Sequence, residues 1–90
     1  MARATRYPVQ WPLRIRVVGE ADWRPGHTLN MSVSGALIIT EEPLPVRRPI
    51  EFVIHFLTDD GRWGSFVAGS GSIVRSEPSI PGAVAVEFHP

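Results

Sequence analysis

Ninety residues leave room for one domain and one hydrophobic core. Hydrophobic residues make up 43% and charged residues 20%, a globular balance that excludes a disordered chain. Nine arginines, with no lysine, stand against nine acids; a net charge of zero argues against a general DNA or RNA binder, whose affinity grows with its phosphate contacts.

Residues 1–12 carry Arg3, Arg6, Pro8 and Pro12 with little apolar content, and read as a flexible arm ahead of a folded body at 13–89. The charge is uneven here: residues 1–24 hold five arginines against Glu20 and Asp22, so a basic segment is available for a small anion. Residues 13–18 alternate, with Leu13, Ile15 and Val17 on one face and Arg14 and Arg16 on the other, the pattern of a half-buried strand. Residues 19–26 read as a polar turn marked by Pro25-Gly26.

A second strand is expected over residues 27–31 and a third over 36–40. Between them, Asn30, Ser32, Ser34 and Gly35 interrupt an apolar run. Asn and Ser side chains bond their own backbone in such breaks, and Gly35 there is free to take positive φ. The break also gathers an amide and two hydroxyls on one small patch that a ligand could approach. Residues 41–49 form a proline-rich loop whose Leu44 and Val46 are expected to cover one end of the fold.

Residues 50–57 give the clearest strand, with Ile50, Phe52, Ile54 and Phe56 sharing a face. Asp59-Asp60-Gly61 is a hairpin turn signal. Residues 63–76 read as a long strand in which Gly69 and Gly71 mark a bulge or sharp coil. A turn at 78–82 precedes a last strand at 83–88. No stretch has a helical period, so the fold class is all-β, and six strands at this spacing imply a small barrel or tight sandwich.

Other chemistry finds no support. His27, His55 and His89 stand at no metal-ligand spacing, and no nucleophile elbow or phosphate loop is present, so no catalytic residue, metal or cofactor is assigned and an enzyme is not expected. Trp11, Trp23 and Trp63 lie near strand ends or turns and read as barrel plugs, with an anchor patch for a partner protein as the alternative. For Trp23 the sequence does not choose between a core lid and an exposed contact. The chain has no cysteine, no apolar run of membrane-spanning length and no apolar leader, from which a cytoplasmic location without membrane insertion is expected.

The break at residues 30–35 resembles the [D/N]-x-S-x-x-G motif of PilZ domains. Arg6-Tyr7-Pro8-Val9 resembles that family's lead-in to the first strand. The segments 71–75 and 83–88 resemble its later strands. The resemblance covers nearly the whole chain. It implies a small six-stranded antiparallel β-barrel of the split-barrel or Greek-key type that binds cyclic di-GMP through Arg3, Arg6, Asn30, Ser32 and Gly35, and that signals to a protein effector controlling motility, attachment or surface polysaccharide. The family's R-x-x-x-R pair is altered: Arg6 matches its second arginine, alanine stands at residue 2, and Arg3 is three residues from Arg6. The alternative is therefore a barrel with a degenerate site, acting as a protein–protein adaptor.

Overall fold

The computed structural model describes residues 5–42, 44–57 and 62–89, and for Leu57 and Trp63 the backbone alone. Arg3 and the Asp59-Asp60-Gly61 turn signal lie outside the described residues. The elements are β1 (Pro12–Val17), β2 (Arg24–Met31), β3 (Gly35–Thr40), β4 (Pro49–Leu57), β5 (Trp63–Ser76) and β6 (Ala83–Phe88). They close into one barrel in the order β1-β2-β3-β6-β5-β4, with every pairing antiparallel. The all-β six-stranded antiparallel barrel that the family resemblance implies is thus the fold, and the tight sandwich is excluded.

Strand alternation accounts for the core. Leu13, Ile15 and Val17 of β1 meet Ile50, Phe52 and Ile54 of β4, and Ala36, Ile38, Ile73, Val84 and Val86 complete the interior. Ile15, Ile50, Ile54 and Ile73 are fully enclosed. Burial of each such side chain contributes about 1.5–3 kcal/mol. Leu44 caps the barrel as expected, but Val46 is exposed: it sits in a turn beside Arg47, whose φ of 68° turns the chain outward. Trp11 packs against the core, edge-on to Phe56 at 4.7 Å, whereas Trp23 lies outside, under the Arg16 guanidinium at 4.6 Å.

Two local expectations are corrected. Pro25-Gly26 is not a turn but part of β2, opposite Arg14 and Leu13 of β1. Pairing with β3 begins only at Gly26, so Pro25 lies where a missing N–H leaves no β2–β3 ladder bond unmade. The second concerns Gly69 and Gly71, which carry no bulge: the β4–β5 register runs unbroken from Pro49↔Ser72 to His55↔Phe66. Gly69 instead makes room for the Phe52 ring, whose Cζ would lie 2.8 Å from an added Cβ. The shift in β5 against β6 falls at Val74, between Ile73 and Arg75. The extra residue keeps Ile73 in the core and puts both Val74 and Arg75 outside.

Candidate functional site

The arm, the end of β2 and the turn into β3 meet at one end of the barrel. Thr28 of β2, with 0% of its surface exposed, is the anchor. Its Oγ1 donates to the Val9 carbonyl and accepts from the Trp11 N–H at 2.9 Å, while its own N–H donates to the Trp11 carbonyl at 2.9 Å. Further out, Tyr7 and Met31 exchange backbone hydrogen bonds of 2.8 and 2.9 Å in an isolated antiparallel bridge. Residues 7–11 thus follow β2 past the start of β1.

A bulge then decides where Asn30 points. The β2–β3 register steps between Thr28↔Ile38 and Asn30↔Leu37, making Leu29 the additional residue. Without that step Asn30 would share the inward face of Thr28, since side chains two apart in a strand point the same way. With it, Met31 reaches the core and Asn30 is carried to the outer surface beside Leu37. There the Asn30 Oδ1 accepts a hydrogen bond from Arg6 Nη1 at 2.8 Å. The two motifs, 24 residues apart in the chain, meet at this bond.

The turn itself is closed by its own polar groups. Ser32 N–H donates to the Gly35 carbonyl at 2.8 Å. The Ser32 hydroxyl lies 3.2 Å from Ser34 Oγ, 3.3 Å from the Gly35 carbonyl, and accepts from the Ser34 N–H at 3.3 Å. Ser32 is buried, and Val33 at the tip is 92% exposed. Gly35 does not have the positive φ expected of it; Gly19 and Gly82 do. Its requirement is proximity: an added Cβ would drive into the Val86 carbonyl oxygen of β6. β6 also braces the turn through the Phe88 N–H, which donates to the Ser34 carbonyl at 2.8 Å.

Some of the described arginines are paired with carboxylates, whereas Arg6, like Arg14, Arg47 and Arg48, has no ion pair among the described residues. Arg16, Arg24 and Arg75 each meet a carboxylate, of Glu51, Glu20 and Glu77, at 2.9, 3.1 and 2.9 Å. Arg6 is held by a neutral amide. No carboxylate among the described residues compensates its charge, and it faces solvent, the state in which a guanidinium takes up phosphate or a guanine edge in bidentate fashion. Among the described residues no group of His, Asp and Glu could hold a metal ion.

Of the five residues proposed from sequence, the structure brings Arg6, Asn30, Ser32 and Gly35 together, and Arg3 lies outside the described residues. Three features escaped sequence reasoning: Thr28 as the anchor, Leu29 as the bulge, and Tyr7, whose ring is exposed and whose backbone bridges to Met31. Only Tyr7 carried a signal, as an aromatic directly after an arginine. His89 is tied to β5 through its N–H to the Ser70 carbonyl at 2.9 Å and Nε2 to Ser72 Oγ at 2.8 Å.

A family model for the PilZ domain matches residues 2–90. Among solved structures, the PilZ domain of CeSA from a cellulose-synthesizing bacterium superposes with a TM-score of 0.68, covering 97% of this chain and 82% of that one at 18% identity. Among curated protein sequences nothing matches the chain.

Proposed function

The chain belongs to the PilZ domain family, a family of cyclic di-GMP receptor modules, and from that premise we propose that it is itself a cyclic di-GMP receptor that passes the signal to a protein effector. The observation that carries the reading is the Arg6–Asn30 contact. It sets an arginine that has no ion pair among the described residues against the polar turn, on an outer face. Cyclic di-GMP offers phosphates and guanine edges, and both are acceptor arrays suited to a guanidinium fork.

In this reading the ligand lies between the arm and the turn. Arg6 exchanges its bond to Asn30 for a phosphate or guanine edge, and Arg3 adds a second guanidinium from the same arm. The amide of Asn30, released from Arg6, contacts the ligand. Ser32 holds the turn in shape, and Gly35 keeps it close enough to β6 to stay rigid. The exposed Tyr7 ring gives a base a surface to stack on. Re-seating the arm changes the surface around it, which is what an effector protein reads. Family membership fits a non-catalytic binding module.

Calorimetric titration with cyclic di-GMP tests the proposal. A bidentate arginine–guanine contact is worth roughly 1–3 kcal/mol. Arg6→Ala is therefore expected to weaken binding about 5- to 150-fold, at 1.4 kcal/mol per tenfold. Unchanged affinity in Arg6→Ala removes Arg6 from the site. The adaptor reading rests on the alanine at residue 2, where the family pattern has an arginine. Absence of any saturable heat from the unmodified chain selects it.

A further inference from the structure

β4 and β5 run on beyond the barrel wall as a two-stranded ribbon. β6 pairs with β5 only from Gly71 onward, so among the described residues the outer edge of β5 before Ser70 has no strand beside it. The His89 N–H bonds to the Ser70 carbonyl, which shows that residue 70 directs its backbone polar groups toward that edge. The period of two sends those of Phe66 and Ala68 the same way, and the unbroken register over 66–72 preserves the period. Edges of this kind are ordinarily blunted by charge or proline. This one has neither: from Trp63 to Val74 the sequence holds no charged residue and no proline. Phe66 is 64% exposed on one face of the ribbon and Val67 41% exposed on the other.

We infer that this edge is a self-association surface, which pairs antiparallel with the same edge of a second copy of the chain about a two-fold axis at Val67. The register follows from the open groups. A two-fold axis perpendicular to the sheet pairs residues on the same face, and centring it on Val67 sets Phe66 of each copy opposite Ala68 of the other. Each such pair exchanges both of its N–H···O bonds, satisfying the groups that face the open edge. The large Phe66 side chain then meets the small Ala68 across both pairs, and Val67 meets Val67 in the closely spaced position between them. A charged partner strand gains nothing from this neutral edge, whereas a second copy brings neutral against neutral with no like-charge repulsion. The paired stretch is far smaller than the roughly 800 Å² per partner of stable complexes, so the association is weak and concentration-dependent.

Because the chain has no cysteine, a single introduced thiol reports the register. Opposed residues in the closely spaced position lie about 4.5 Å apart at Cα, within disulfide reach. The experiment oxidises Val67→Cys in the full chain and measures the rate of covalent dimer formation against Val33→Cys, the exposed tip of the β2–β3 turn. Val67→Cys is expected to cross-link at least about tenfold faster. Adding Ala68→Pro removes an edge-facing N–H without touching the β4 ladder, and it is expected to abolish the difference. Equal rates for the two cysteines, or a difference that survives Ala68→Pro with the β-sheet circular dichroism intact, overturn the inference.

Discussion

Two hairpins reach the same end of the barrel, and they are built in opposite ways. The β2–β3 turn is braced on both sides: the arm bonds to β2 at Tyr7 and Trp11, and β6 bonds to the turn at Ser34. Its own hydroxyls are spent inside it, which leaves Asn30 and Arg6 as the polar groups presented outward. Among the described residues the β4–β5 ribbon has a strand beside it on one side only, and it exposes the apolar side chains of Phe66 and Val67 together with open backbone. A braced turn keeps a few polar groups in a fixed arrangement, which is what a small polar ligand needs. An open neutral edge offers a ladder of backbone groups, which suits another strand.

Mutations sharpen this contrast, beginning with the largest expected effect. Gly35→Ala pushes a methyl group into the Val86 carbonyl and forces β3 from β6. Overpacking of this kind costs about 1–3 kcal/mol. Thermal unfolding is expected to shift down by about 4–8 °C per kcal/mol in a domain of this size. An unchanged midpoint breaks the account of the turn. Thr28→Val keeps the side-chain shape but leaves the Trp11 N–H and Val9 carbonyl without their partner. A loss of about 1–3 kcal/mol is expected, the cost of an unsatisfied buried polar group. Faster amide exchange at Trp11 is expected with it, and protection equal to that of the unmodified chain contradicts the anchoring role.

On the ribbon the same kind of change is expected to matter little. Val67→Lys places a charge where solvent already reaches, and its effect on stability is expected to stay within about 0.5 kcal/mol in urea unfolding. A loss as large as that of Thr28→Val erases the distinction between braced and open hairpins. The smallest effect concerns pH. The Arg75 hydrogen bond, aided by Ser79, lowers the pKa of Glu77 below its model-compound value of 4.5. A carboxyl with a depressed folded-state pKa stabilises the fold above its unfolded pKa, and that stability is lost as pH falls through the folded one. The melting difference between the unmodified chain and Glu77→Gln is thus expected at neutral pH and expected to close in acid. A difference that persists at pH well below 4.5 contradicts it.

The contrast also marks what sequence could reveal. All-β class, strand count and core faces were legible because Leu13-Ile15-Val17 and Ile50-Phe52-Ile54 alternate cleanly. The motif at Asn30, Ser32 and Gly35 was legible because polar residues break an apolar run. What escaped depends on neighbours distant in the chain. Gly35 is required by a β6 carbonyl, Gly69 by the Phe52 ring, and Pro25-Gly26 reads as a turn until β1 is placed opposite. The Leu29 bulge that turns Asn30 outward has no local signature, because leucine suits a regular strand equally well. Thr28 likewise becomes an anchor only when the arm lies against it.

The central claim is that arm and turn form one binding site. Its most direct test is an amide chemical-shift map of the chain titrated with cyclic di-GMP. The account predicts that Arg6, Tyr7 and the residues from Asn30 to Gly35 move together along one saturation curve, while Phe66 to Gly69 stay in place. Shifts confined to the ribbon, or none at saturating ligand, contradict it.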